Sequence, residues 1–491
     1  MEPKQFDVVI IGAGIVGSMV ARALSRYKLG VAVIEKEADV GMGQSTANSA
    51  VLHSGHDPFP GTIKAAMNRR GNELWKELAP QLGVALYETG ALVVATDPDE
   101  QAVLKTLYDR AQENGIEGVE IWSRDQALEK EPHLTTDAMG ALWTPTAGVV
   151  DAFEGVVAAA ENAAMNAVEF YFNTEVRGLE VESGVLTAVH TNEGEFRTRW
   201  VINAAGVFAD EIMHMAGDHP EFHITARRGE YFIFDQSKVR IGNVLFPTPT
   251  EKGKGILVST TAHGNTLIGP NASEVEDKED TSVTKEGMNE VLTKSTKLVP
   301  SLSPRDIIAT FAGVRATGNY KPDGKNRDFL IELSSSVKGL VNLAGIESPG
   351  YVSAPAIAEK TLRLLTEEAG ESFEEKEDFN PLRPGRVRFA KLDHNQRAEL
   401  IEKNPAYGRI VCRCEEVTEG EVVDAIHSPI PATTYDAIKR RTWLGTGRCQ
   451  GSFDYPRTME ILSRELGIPM TEITKKGPGS VFLFRRTKEV V

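Results

Sequence analysis

The sequence predicts an α/β protein. It reads as a Rossmann-type dinucleotide-binding domain, an antiparallel-sheet substrate domain and a small C-terminal cysteine-containing domain. Three observations predict this. A strand, glycine turn, helix, strand unit occupies Phe6 to Lys36; short strands with turns fill 223–310; and all three cysteines fall in the last fifth of the chain.

The first unit reads FDVVIIGAGIVGSMVARALSRYKLGVAVIEK. Gly12 allows a sharp turn off the strand, Gly14 lets the backbone approach a pyrophosphate, and Gly17 lets the helix pack close to the sheet. The helix start then offers unpaired N–H groups and a positive dipole end to phosphates. Glu35, at the end of the second strand, is placed to accept both hydroxyls of an adenosine ribose. It would repel a phosphorylated ribose, so FAD or NAD is favoured over NADP. A membrane span is the competing reading of this apolar run, but Asp7, Arg22 and the glycines interrupt it and it is short.

A chain of 491 residues is long for one core, so two or three domains are expected. With 41% hydrophobic and 25% charged residues it has an ordinary globular composition. The balance of 54 basic against 70 acidic side chains gives −16, which argues against nucleic acid as a partner. An anionic substrate must therefore be drawn by a few local cations. The N-terminus, MEPKQFD, shows no basic-then-apolar signal, so a cytoplasmic location is expected.

After Glu35, the stretch Gly41 to Gly55 is rich in small and hydroxyl residues and suits close packing against a cofactor. Ser45, Thr46 and Ser49 are its candidate donors, and His53 is its titratable group. Helices are expected over 64–83, 99–114 and 124–131, with a strand pair around Gly90 within 86–96. Strands at 170–176 and 185–190 precede Trp200 to Asp210, where an apolar strand leads to Ala205 and Gly206, a second backbone approach to a dinucleotide.

Within the short-strand region, Arg227, Arg228, Lys252 and Lys254 form a cluster of cations, of which the first three read as a solvated face. Phe311 to Thr317 and Val341 to Pro355 return to the glycine-rich style of the nucleotide domain, with a helix expected over 356–365. Arg315, set among small apolar residues, calls for an anion. The polar, proline-containing stretch 376–407 reads as a linker.

Cys412-Arg-Cys414 is followed by 34 residues and then Cys449. This clustering points to a metal or redox centre rather than a disulfide framework, with Arg413, Arg440, Arg441 and Arg448 offsetting thiolate charge. There is no fourth cysteine; Asp454 supplies an oxygen ligand or none, which leaves a [2Fe–2S] centre, a zinc site and an empty site all open.

Over residues 6–370 the motifs GAGIVG, STANSAVLHSG, NAAG, GVRAT and GIESPGYVSAP, with Glu35, resemble flavoproteins of the D-amino-acid oxidase superfamily. Within it they are most similar to bacterial glycerol-3-phosphate dehydrogenases and oxidases and to L-2-hydroxyglutarate oxidase. Over 411–480, CRCEEVTEGEV and GTGRCQGSFDYPR resemble the bacterioferritin-associated-ferredoxin type of [2Fe–2S] domain found at the C-terminus of anaerobic glycerol-3-phosphate dehydrogenase catalytic subunits.

The resemblance implies an oxidoreductase domain over 1–375, a linker over 376–408 and a [2Fe–2S] domain over 409–491. In the first, nucleotide-binding segments span about 1–80, 145–220 and 310–370, and a substrate lobe about 81–144 and 221–309. It implies FAD held by Gly12, Gly14, Gly17, Glu35, Ser45 and Thr46, by the backbone of Val176, Ala205 and Gly206, and by Gly350 near the flavin's pyrimidine end. His53 matches the base at the flavin ring; Arg315, Lys254 and Ser348, with Ser49, match positions that hold the substrate. Cys412, Cys414, Cys449 and Asp454 match the metal ligands, although the family has cysteine where Asp454 stands. A second departure is His56-Asp57, where family members carry Arg-Tyr.

The activity so implied is oxidation of a small anionic secondary alcohol, sn-glycerol 3-phosphate first, by hydride transfer to flavin N5 with His53 as base. L-2-hydroxyglutarate or another 2-hydroxy acid is the alternative substrate, and a noncatalytic flavin electron-transfer subunit the alternative of another class. Electrons would leave to an acceptor protein or to oxygen, with membrane contact only through a partner.

Overall fold

The structure, a computed structural model, describes residues 2–249 and 255–489. Val8–Ile11 and Val31–Ile34 are parallel neighbours, with Val8 opposite Val31, and the helix Ile15–Leu24 connects them. They lie at the centre of a six-stranded sheet ordered Glu169–Tyr171, Val31–Ile34, Val8–Ile11, Trp200–Asn203, Leu340–Ala344, Leu330–Leu333. The first five strands run parallel and the last is antiparallel.

Both faces of this sheet are covered, which is why its strands read as unbroken apolar runs. Val8, Ile10, Val31 and Val33 join a core with the helices Ile15–Leu24, Ile63–Leu82, Ala152–Met165 and Gly350–Arg363. The alternate residues Val9, Ile11, Ala32 and Ile34 pack on Leu186, Val189 and Phe196 of a four-stranded sheet.

The substrate lobe is a nine-stranded sheet, antiparallel except where Val244–Pro247 runs parallel to Ala91–Ala95. Its longest pairing joins Ile224–Phe234 to Ile307–Gly318, with Arg227 directly opposite Arg315. The glycines of FAGVRAT suggested a return to the nucleotide domain at 310. They sit instead in this lobe strand, where alternation rather than a glycine turn sets the conformation.

Two other local expectations are corrected. The strands around Gly90 do not pair with each other: Leu86–Tyr87 joins a three-stranded sheet with Gly148–Val150, and Ala91–Ala95 joins the lobe sheet. The helix expected over 356–365 begins at Gly350.

The C-terminal part pairs Ile410–Cys412 with Val417–Thr418 and packs helices Glu419–Ile426, Tyr435–Thr442 and Tyr455–Leu466 around Val422, Ile438, Leu444 and Leu462. The stretch 376–408 that reads as a linker is bound down along its middle. Arg383 and Arg386 reach Glu161 and Glu154, Arg388 reaches Glu154, and His394–Lys403 is helical. Its prolines and charges look like a spacer in sequence because its contacts are salt bridges rather than a periodic apolar face.

One buried ion pair ties the C-terminal part to the nucleotide unit. Asp39 accepts hydrogen bonds of 2.8 Å from Arg440 Nη2 and from both Nη atoms of Arg441, and both Asp39 and Arg441 are buried. Burial would raise the Asp39 carboxyl, but Arg441 and then Arg440 outweigh it and bring it down to about 2. Because the folded value is depressed, this contribution is present above the unfolded value of 3.8 and is lost as pH falls towards about 2. Asp39→Ala leaves two buried guanidiniums unpaired and should cost about 3–5 kcal/mol. Denaturant unfolding with limited proteolysis checks this; unchanged stability and unchanged protection of the C-terminal part would contradict it.

Candidate active site

A cavity of about 1740 Å³ runs from the C-terminal ends of the parallel strands to the substrate lobe. Small-molecule pockets measure about 300–1,000 Å³, so this one has room for a dinucleotide and a substrate together. Its position is where open α/β sheets bind ligands.

At the nucleotide end, Gly12 adopts φ +102°, and a Cβ there would strike the Ala204 carbonyl. The turn therefore brings strand Val8–Ile11 and the Ala205–Gly206 approach together, and all of Gly12, Gly14, Ala205, Gly206 and Val176 line the cavity. Helix Ile15–Leu24 starts at Gly14 with no side-chain cap from that residue; Ser45 Oγ accepts the Ile15 N–H at 2.8 Å and keeps its own proton to donate. Glu35 accepts N–H groups from Ala13 at 2.8 Å and Glu37 at 2.9 Å. Burial raises its carboxyl, and these two donors only partly offset that. A second uncapped helix start, at Gly350, lines the other end.

These features fit FAD: a backbone cradle for a pyrophosphate, a ribose acid and two positive helix ends on one cavity. Two expected cofactor residues stand apart from the lining. Thr46 donates to the Gly41 carbonyl at 2.7 Å, so it shapes the loop; Gly17 faces the Gly12 carbonyl and acts through helix packing.

At the lobe end, His53, Ser49, Ser348 and Arg315 line the same cavity. The His53 carbonyl accepts from Asn68 at 2.8 Å and Asn72 at 3.1 Å, both buried on helix Ile63–Leu82, which fixes the loop. His53 Nε2 lies 3.4 Å from Ser348 Oγ, and its ring lies 5.8 Å from that of Phe246. Of the other departure residues, His56 is buried with Nδ1 2.8 Å from Ser54 Oγ, while Asp57 lines the cavity. Lys252 and Lys254 lie outside the described residues.

Arg227, which reads as a solvated charge in sequence, lines this cavity opposite Arg315. Each has its Nε buried with no hydrogen-bond partner among the described residues. Arg315 donates to the Asn271 carbonyl, and Gly229 leaves the room its guanidinium fills. Burial pulls the Arg315 guanidinium down; Tyr231 and Glu347 oppose this and Arg227 adds to it. The nearby Glu347 is already engaged. Burial would raise its carboxyl, but Lys64 at 3.1 Å and the Thr317 hydroxyl at 2.8 Å hold it low. Two guanidiniums thus share one wall and neither is in an ion pair among the described residues, although Glu274 stands beside Arg227 in strand register, a setting that favours a dianion. Arg228, by contrast, is tied to Asp280 and Ser282. The signal that separates the neighbours is strand parity: Arg227 shares a face with Gly229 and Tyr231, and Arg228 does not.

Cys412, Cys414, Cys449 and Asp454 form two pairs in the C-terminal part. The Cys412 thiol lies against the Asp454 carboxyl, and the thiols of Cys414 and Cys449 touch. Burial pushes the Cys412 thiol up to about 12. Three thiols and a buried carboxyl are a donor set that fits an iron–sulfur group. This site sits on the substrate lobe. His263, in the turn after Leu257–Thr260, stacks on Trp443 at 4.4 Å and reaches Glu415, next to Cys414, at 2.5 Å. Trp443 also lies 5.2 Å from Phe153, and Arg448 pairs with Asp235.

Comparison with known proteins agrees with this geometry. Residues 7–364 match the FAD dependent oxidoreductase family, and residues 410–464 match the BFD-like [2Fe-2S] binding domain. A glycerol 3-phosphate dehydrogenase of Caloramator mitchellensis is 42% identical over 490 residues, 99% of this chain and 100% of that one. A glycerol 3-phosphate oxidase of Mycoplasma genitalium is 33% identical, covering 74% of this chain and 95% of its own. The solved L-alpha-glycerophosphate oxidase of Mycoplasma pneumoniae with FAD bound superposes with a TM-score of 0.72 at 31% identity, covering 77% of this chain and 98% of that chain. The chain belongs to the FAD dependent oxidoreductase family and carries a BFD-like [2Fe-2S] binding domain behind it.

Proposed function

We propose that this chain oxidises sn-glycerol 3-phosphate to dihydroxyacetone phosphate. The observation that carries the reading is the cross-strand pair Arg227 and Arg315, whose buried Nε atoms lack partners among the described residues, on the cavity that His53 also lines. Bound FAD supplies the hydride acceptor. The two guanidiniums hold the phosphate dianion and so fix the secondary carbon relative to His53. His53 takes the hydroxyl proton on its imidazole, a group suited to that transfer near neutral pH. Ser348, 3.4 Å from Nε2, and Ser49 orient the substrate hydroxyls. Tyr231 and Phe246 wall the cavity and limit water at the reacting carbon.

The reading divides the chain into an oxidoreductase part, 1–375, a strap, 376–408, and a cluster part, 409–491. It leaves reoxidation to an electron-acceptor protein or to oxygen and places the protein in the cytoplasm. No helix among the described residues is long and apolar enough to cross a membrane.

Anaerobic bleaching of the flavin by a substrate panel tests the proposal. sn-Glycerol 3-phosphate should bleach it fastest; preferential bleaching by L-2-hydroxyglutarate would overturn it. His53→Ala should keep the yellow cofactor and lower kcat by about 10²–10⁴-fold; near-wild-type turnover would remove the histidine from its role. Arg227→Ala and Arg315→Ala should each raise KM by the loss of a charged hydrogen bond, about 1.5–3 kcal/mol. Arg228→Ala, which breaks a structural pair, should leave KM unchanged. Equal KM effects at all three arginines would contradict the assignment.

A further inference from the structure

Asp454 is 1% exposed, yet only half of its carboxyl is used. Oδ1 accepts the Tyr435 hydroxyl at 2.6 Å, while Oδ2 is buried without a hydrogen-bond partner among the described residues. An orphaned carboxylate oxygen in a closed site is costly unless a ligand takes it. The side chain lies against the Cys412 thiol, so the unpartnered oxygen belongs to the cysteine site.

The surroundings are built for this placement. Gly445 and Gly451 have φ of +75° and +86°, and a Cβ at either would strike the Tyr435 hydroxyl that holds Asp454. The backbone N–H groups of Gly445 and Glu415 point at the Cys412 sulfur, and that of Cys449 points at the Cys414 sulfur. Such donors stabilise anionic sulfur at a metal centre.

The contacts also come in twos, Cys412 with Asp454 and Cys414 with Cys449. Among the described residues no group of three or more His, Cys, Asp or Glu is placed to hold a metal ion. A tetrahedral zinc needs four ligands around one point. A two-iron cluster needs two ligands on each iron, the number that each pair offers.

We propose that Asp454 Oδ2 is the fourth ligand of a [2Fe–2S] cluster with three cysteines. Cys412 and Asp454 hold one iron, Cys414 and Cys449 hold the other, and Tyr435 orients the carboxylate through its second oxygen. The proposal rests on the cluster-binding assignment of this segment and not on the identity of the alcohol substrate.

The test uses the full chain, reconstituted anaerobically with ferrous iron and sulfide. Iron, zinc and sulfide contents and the EPR spectrum of the dithionite-reduced protein are measured for wild type, Asp454→Cys, Asp454→Asn, Asp454→Ala and Tyr435→Phe. Wild type should hold a cluster, Asp454→Cys should hold one with a shifted EPR spectrum, and Asp454→Ala and Asp454→Asn should lose it. Tyr435→Phe should retain iron about 10–100-fold more weakly. The proposal fails if Asp454→Asn keeps the wild-type iron content and spectrum. It fails equally if only Asp454→Cys binds iron, or if wild type takes up zinc in place of iron and sulfide. Flavin absorbance of the same samples reports the fold of each variant. A colourless chain that still binds iron would count against the flavin reading while leaving this one intact.

Discussion

Two arginines placed opposite each other on neighbouring antiparallel strands repel, and they persist only where something offsets the charge. Arg227 and Arg315 stand in that relation, and Glu347, the acid that acts on Arg315, is taken by Lys64. The shape of the lobe follows from seating this pair. Gly229 clears space for the Arg315 guanidinium, and Gly313, opposite Gly229, lets the strand approach Ala47 of the cofactor loop. The same two strands thus carry the charge and bring it to the flavin side of the cavity. In a chain of net charge −16, the proposed anion site depends on this local excess.

Arginine-carboxylate chemistry of the opposite sense holds the remaining parts together. Arg383, Arg386 and Arg388 meet Glu154 and Glu161 on the helix Ala152–Met165, and Arg440 and Arg441 meet Asp39. Asp39 lies between the ribose acid and the cofactor loop, so the C-terminal part is anchored beside the nucleotide end while His263 and Trp443 seat it on the substrate lobe. The cysteine site is thereby fixed against both halves of the oxidoreductase. Buried pairs of this kind give modest net stability and considerable registry, since removal of one partner strands the other.

Much of the nucleotide half is legible in the sequence. Glycine spacing, apolar runs and an acid at a strand end report local backbone requirements, and Gly12, Glu35 and Ala205 stand where the pattern places them. Arg315 is legible too, because a long cation among small apolar residues has few structural uses. Arg227 was hidden by its neighbour: the dipeptide looks like a charged surface until strand pairing sends one side chain to the cavity and the other to Asp280. Thr46, expected at the cofactor, has its hydroxyl on a carbonyl five residues back. The strap 376–408 and the Asp39 contacts escaped because salt bridges between segments hundreds of residues apart leave no periodic trace.

The central claim is that the paired guanidiniums form an anion site beside the flavin. Titrating the flavin-loaded protein with inorganic phosphate, and following the flavin's visible absorbance, tests it most directly. The account predicts a saturable perturbation that competes with sn-glycerol 3-phosphate and disappears in the Arg227→Ala, Arg315→Ala double variant. A flavin spectrum indifferent to phosphate, or a perturbation that survives in the double variant, would contradict it.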